Sequence, residues 1–224
     1  ITASVKGNTV GSAGSPTGSG IRVTDVPPGS NVTVERNRVD GGNNTSSTAG
    51  IVVAGSDGVI VRRNTVRNFV GTAAPQNAFG IDIVESPNTQ VLRNVIANND
   101  TGVRVDDSAA AGETADTVVI NDNNITSTVT GATGLLFIPD TAATAPLDAT
   151  NNWWGAANGP RDDDADTTDC PEATPPGCTT PPTAEGGGLP VAVGPPPVAN
   201  DCGTTAGTVT TCPFRTAPVS PAGA

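Results

Sequence analysis

Apolar and polar positions alternate in short bursts along the first two-thirds of the chain. Gly20-Ile21-Arg22-Val23, Gly50-Ile51-Val52-Val53, Gly80-Ile81-Asp82-Ile83, Gly102-Val103-Arg104-Val105 and Gly134-Leu135-Leu136-Phe137 repeat one glycine–apolar–x–apolar tetrad. Val32-Thr33-Val34, Val59-Ile60-Val61 and Val118-Val119-Ile120 alternate between them. A period of two predicts short strands with one face inward. No helical period interrupts them.

The strands fall into a longer repeat marked by six asparagines. Asn8, Asn37, Asn64, Asn94, Asn123 and Asn152 are separated by 29, 27, 30, 29 and 29 residues. Each follows a small apolar residue by three positions (Val5, Val34, Val61, Val91, Ile120, Ala149) and precedes a larger one by two (Val10, Val39, Val66, Ile96, Ile125, Trp154). A repeat of this length predicts stacked units, each burying its apolar face against its neighbours. Two or three strands per turn predict an all-β parallel β-helix of about five to six coils, with an irregular tail. Asparagine suits a tight bend because it tolerates left-handed backbone. Inward amides stacked roughly 4.8 Å apart can also hydrogen-bond along the axis as a ladder.

Composition fits a solenoid better than a bulky globular core. Aromatics are 3% of the chain, and Tyr, Met and His are absent. A net charge of −11 with one lysine, Lys6, argues against partners with a nucleic acid backbone or an anionic membrane surface. No apolar run approaches the roughly 20 residues of a membrane span. The chain opens at Ile1 in mid-coil, so a removed leader or upstream part is expected.

After the tryptophans the composition changes. Of 20 prolines, 13 lie in residues 155–224, with all four cysteines. Runs such as Pro195-Pro196-Pro197 cannot donate to a sheet ladder, which divides the chain into a solenoid, residues 1–160, and a cap or docking tail, residues 161–224. Four cysteines allow three pairings; the local one, Cys170 with Cys178 and Cys202 with Cys212, is the simplest way to stiffen so little apolar chain. Zinc is disfavoured without a Cys-x-x-Cys pair or a histidine. Disulfides imply an oxidising compartment, hence an extracellular or cell-surface location.

Asn151-Asn152-Trp153-Trp154-Gly155, followed by Asn158-Gly159-Pro160, resembles the Asn-Trp-Trp-Gly…Gly-Pro signature of secreted right-handed parallel β-helix proteins of the pectate-lyase-like superfamily. With the tetrads and the asparagine column, the resemblance covers residues 1–160 and implies a right-handed coil. Cys212-Pro213-Phe214-Arg215 resembles the aromatic segment that lies back on the end of such a stack, although the cysteine departs from the pattern. Trp153, Trp154 and Phe214 are accordingly assigned as an end cap; sugar stacking by Trp153 is the alternative. The superfamily holds lyases, hydrolases and non-catalytic surface proteins, so fold does not decide function. The histidine and Arg-x-Lys element of its polygalacturonases are missing. Asp106-Asp107 is read as a solvated turn, not as the carboxylate pair of a hydrolase.

The outward columns supply the remaining candidates. Asp82 and Arg104 are expected to be vertical neighbours, as are Glu35 and Arg62, forming exposed pairs that pin the register. Arg36, Arg63 and Arg93 form a basic column. Two readings of it stand: it binds acidic polysaccharide or a partner's carboxylates, or Glu35 and the acidic surroundings relieve its charge. Asp162, Asp164 and Asp166 alternate like the start of a calcium loop, but the following glycine and distal glutamate are absent. A hydrated loop is the default there. No other cofactor is expected.

Three functions fit. A non-catalytic structural surface or filament subunit is favoured, forming a homopolymer by end-to-end stacking or tail-mediated docking, because Ile1 enters a coil whose strand edges nothing blunts. The others are a carbohydrate-binding adhesive module and a small polysaccharide lyase or hydrolase. Neither catalytic residues nor a convergent polar cluster can be named for the last.

Overall fold

The computed structural model describes residues 1–11, 18–44, 49–71, 78–107, 117–139, 145–157, 159–162, 188–193, 209–211 and 214–219. The chain winds through strands in sets of three. These are β1 (Thr2–Lys6), β2 (Thr9–Gly11) and β3 (Ile21–Thr24), then β4 (Asn31–Glu35), β5 (Arg38–Asn44) and β6 (Ala49–Ala54). β7 (Ile60–Arg62), β8 (Thr65–Phe69) and β9 (Phe79–Val84) follow, then β10 (Gln90–Leu92), β11 (Val95–Ala97) and β12 (Thr101–Asp106). The next set is β13 (Val119–Asn121), β14 (Asn124–Thr126) and β15 (Thr133–Ile138), and beyond it lie β16 (Leu147–Asp148), β17 (Arg161–Asp162), β18 (Pro190–Val193) and β19 (Val209–Thr210).

Every third strand pairs in parallel with its counterpart one turn away. The first sheet runs β1-β4-β7-β10-β13-β16-β19, the second β14-β11-β8-β5-β2, and the third β17-β18-β15-β12-β9-β6-β3. The molecule is thus a parallel β-solenoid with three walls. From β1 to β13 it makes about four turns; beyond that, β16 and β19 extend the first sheet, while in the third β18 comes between β15 and β17. Proline did not keep the tail out of the sheets: β18 pairs with β15 and β19 with β16, using short stretches between the proline runs.

The inward columns are those of the repeat. Val34, Val61, Val91 and Ile120 line the first sheet, Val39, Val66, Ile96 and Ile125 the second, and Ile51, Ile81, Val103 and Leu135 the third, all at 0% exposure. Burying each such side chain contributes about 1.5–3 kcal/mol. The glycine of each tetrad has a steric cause. A Cβ on Gly50 would lie 2.3 Å from Val66 Cγ1 and 2.6 Å from the Gly80 carbonyl, and one on Gly80 or Gly102 would lie 2.6 Å from the next glycine's carbonyl. The wall is too closely stacked there for any side chain.

The asparagines form a continuous ladder along the corner between the first and second sheets. The Nδ2 of Asn8, Asn37, Asn64, Asn94 and Asn123 each donates to the Oδ1 of the next at 3.0 Å. That same oxygen accepts the donor's own backbone N–H at 2.9 Å. The second Nδ2 proton of Asn37, Asn64, Asn94 and Asn123 reaches the carbonyl of Val5, Val34, Val61 and Val91. Each interior amide therefore donates twice and accepts twice.

The left-handed bend falls elsewhere than expected. It is taken by the residue before each asparagine: Gly7, Arg36, Arg63, Arg93, Asp122 and Asn151, with φ between 55° and 69°. The amide can serve the ladder only if the preceding residue makes the turn.

Candidate functional site

The bend that builds the ladder also builds a cationic strip. In left-handed backbone, Arg36, Arg63 and Arg93 stand one above another at the corner, in a conformation that disfavours a side chain by roughly 1–2 kcal/mol each relative to glycine. Arg62 joins them from β7, Lys6 from β1, and Arg215 from the C-terminal segment.

Glu35 and Arg62 are register partners, as expected, but only the arginine of the pair is solvated. Glu35 is 5% exposed, because three guanidiniums from two coils close over it. Arg62 Nη2 lies 3.1 Å from Oε2, while Arg36 Nη1 and Arg63 Nη1 lie 3.2 and 3.3 Å from Oε1. Burial pushes the Glu35 carboxyl up, but the hydrogen bond from Arg62 and the charges of Arg36, Arg62 and Lys6 outweigh it and hold the pKa below its ordinary value.

Asp122 is the second carboxylate of the strip. Arg93 Nε approaches it at 3.5 Å, and Arg215 donates to its Oδ1. Arg215 also donates through Nε to the Asn151 carbonyl at 2.9 Å. Its position could not be read from the repeat, since the tail does not repeat. Six cationic side chains thus surround two carboxylates on a chain whose net charge is −11. Arg62, Arg63, Leu92, Arg93 and Asp122 line a cleft of about 220 Å³. Arg62 Nε and Arg63 Nε are buried beside it without a hydrogen-bond partner among the described residues.

On the third sheet, Arg104 grips Asp82 through Nε at 2.7 Å and Nη2 at 3.0 Å, and its guanidinium lies 4.2 Å from the Phe79 ring centre. Here too the expectation of an exposed pair fails, since Asp82 is 7% exposed. Asp107, expected in a solvated turn, is 2% exposed, and Asp106 lies 3.6 Å from Arg104. No group of three His, Cys, Asp or Glu side chains among the described residues is placed to hold a metal.

At the far end Trp154 extends the inward column of the second sheet and is fully buried. Trp153 is half-buried and bridges to Asn124 in parallel. A Cβ on Gly159 would lie 2.8 Å from the Phe214 ring, so that ring rests directly on the glycine backbone. Leu189 donates its N–H to the Trp154 carbonyl, and Asn124 exchanges two hydrogen bonds with the Val219 backbone, at 2.6 and 2.7 Å. Cys170, Cys178, Cys202 and Cys212, together with Asp164 and Asp166, lie outside the described residues. Asp162 sits in β17, paired with Val191.

A family model described as "Right handed beta helix region" matches residues 2–138, more than half of the chain. No curated protein and no solved structure matches it.

Proposed function

Since the chain belongs to the right-handed β-helix family, we propose that it is a non-catalytic, extracellular structural protein: a rigid surface or filament subunit that associates with copies of itself, by stacking or through its tail. The observation that carries this reading is how the charged side chains of the walls are used. Asp40 accepts from Arg67 and Asn68, Asp82 accepts from Arg104, Glu35 is ion-paired with three arginines, and Asp122 with two. They brace neighbouring coils, and the cleft that Arg62, Arg63, Arg93 and Asp122 line with Leu92 is small, about 220 Å³. With the saturated amide ladder, such bracing suits a rod of fixed pitch.

Electron microscopy and light scattering over a range of concentrations test the proposal. Rods or discrete oligomers support it, and a strict monomer at high concentration rejects it. A second reading, a module that holds an acidic polysaccharide, is supported by the excess of cations in the strip and by the two unpartnered Nε groups beside the cleft. Binding of a uronate polymer, lost in Arg63→Ala, would favour it. Rising ultraviolet absorbance of that polymer would instead revive a lyase.

A further inference from the structure

The left-handed corner changes sign near its end. Gly7, Arg36, Arg63, Arg93, Asp122 and Asn151 occupy it in chain order, so one carboxylate follows three guanidiniums. Asp122 also lines the cleft of Arg62, Arg63, Leu92 and Arg93, where its charge opposes any anion that the arginines draw in. Arg215 answers that charge from the C-terminal segment by donating to Oδ1. The existing pairs do not exhaust the arginines. Arg62 meets Glu35 through Nη2 and Arg63 through Nη1, and the Nε of each is buried with no partner among the described residues. Arg93 reaches Asp122 only through Nε at 3.5 Å, beyond ordinary hydrogen-bond length, and its side chain is 57% exposed. A guanidinium has five donors, so Arg62, Arg63 and Arg93 leave several for a ligand.

We propose that the cleft binds one oxoanion group, a carboxylate or a sulfate, and that the docked C-terminal segment completes the site by holding Asp122 through Arg215. This deepens the second reading, resting on its premise that the strip attracts acidic groups, and it names the group, the seat and the control. Guanidinium forks match an oxoanion with pairs of hydrogen bonds. Leu92 gives the atoms that carry the acid an apolar contact. A water fills about 30 Å³, so a cleft of about 220 Å³ takes one acidic group and its nearest atoms, not a run of sugars.

The segment is fastened at two points. Arg215 donates to the Asn152 carbonyl from its backbone N–H and to the Asn151 carbonyl from Nε, each at 2.9 Å, and Asn124 exchanges two hydrogen bonds with Val219. Residues 216–218 between them are exposed. With the segment docked, Asp122 is shared between Arg215 and Arg93, and the cleft keeps its positive charge. With the segment released, Asp122 is left to Arg93 and cancels the nearest cation of the cleft. Docking and anion binding therefore favour each other, and by linkage each strengthens the other by the same factor.

Calorimetric titration of the full chain with sodium sulfate, and separately with a uronate monosaccharide and a uronate polymer, reads the site at an ionic strength held at about 0.1 M. One small anion per chain is expected, with Arg63→Gln and Arg215→Gln each weakening it about tenfold. Asp122→Asn keeps an acceptor for Arg215 and a residue that tolerates the bend, but removes the charge. In that background Arg215→Gln should leave the affinity unchanged. A segment that only props the end of the solenoid would matter equally in both backgrounds, and that result overturns the proposal. Should either arginine variant fail to fold, hydrogen exchange with both arginines intact decides. The monosaccharide should slow exchange of the Val219 N–H in the parent but not in Asp122→Asn; equal slowing, or none, overturns the proposal. Polymer binding that needs Arg63 but ignores Arg215 also overturns it and leaves the second reading standing. Binding of the small anions without the polymer supports the site and rejects that reading. No binding of any of them overturns both.

Discussion

The side chain of Asn94 satisfies two donors of Asn64 at once: its Oδ1 accepts the Asn64 backbone N–H at 2.9 Å and Nδ2 at 3.0 Å. Removing it leaves a buried main-chain donor without a partner, whereas the Asn64 amide keeps its bond to the Val34 carbonyl. A buried unmet group costs about 1–3 kcal/mol, and the lost packing adds to it. Asn94→Ala should destabilise by about 2–4 kcal/mol, with faster hydrogen exchange at the Asn64 amide. Asn8→Ala, at an exposed rung, should cost less than about 1 kcal/mol. Equal losses at the two positions would mean that the asparagines act singly and not as a ladder.

The glycines of the tetrads are held by space. Gly50→Ala must move Val66 or the Gly80 carbonyl, which a close-packed wall does not allow cheaply. A loss of at least about 2 kcal/mol in denaturant unfolding is expected. Gly11→Ala is the control, since a Cβ there has nothing within 4 Å and no positive φ to contend with. It should lie within about 0.5 kcal/mol of the parent.

The ladder was legible because six asparagines share spacing and flanks, and because each wall reads as strict alternation. What the repeat could not reveal are the places where two coils or a non-repeating segment meet. Glu35 occupies an outward position by alternation and would be exposed on its own coil; its burial comes from Arg62 and Arg63 on the next. Asparagine's tolerance of left-handed backbone suggested that it made the bend, but its amide is committed to the axis, so Arg36, Arg63 and Arg93 carry the positive φ. Arg215 reaches Asp122 from 93 residues away. No periodicity predicts such a contact.

Carboxylates held by hydrogen bonds give the acid limb of stability two opposing parts. Burial raises Glu35 and Asp40, but stronger hydrogen bonds and charges, led by Arg62 for the first and Asn68 for the second, leave both pKa values lowered. Their contribution is present above the ordinary carboxylate pKa and is lost as pH falls through the folded values. Asp100 behaves oppositely. Burial raises it, against the hydrogen bond from the Gly71 N–H, so its charge is a cost at neutral pH that fades as pH falls through its raised pKa. Asp100→Asn, which can still accept from Gly71, should have the higher melting temperature at pH 7, with the difference closing by about pH 3. A difference that is constant with pH would show that Asp100 titrates alike in the folded and unfolded chain, so that its burial carries no electrostatic cost.

Trp154 and Trp153 are adjacent but should respond very differently to removal. Trp154 is fully buried, and its ring and backbone lie against Gly134 and Gly188, while its carbonyl receives the Leu189 N–H. Trp154→Ala opens a cavity at the end of the core column and should cost about 3–5 kcal/mol. It should also loosen the segment that carries β18, so that protease cleaves around residues 188–193 before the solenoid unfolds. Trp153 is half-buried and its ladder bonds, to the Asn123 carbonyl and from the Ile125 N–H, are main-chain only. Trp153→Ala should cost less than about 2 kcal/mol and leave the cleavage pattern unchanged. If the two substitutions cost the same, or if Trp154→Ala left the tail protected, Trp154 would not be the residue that joins the end of the core to the tail.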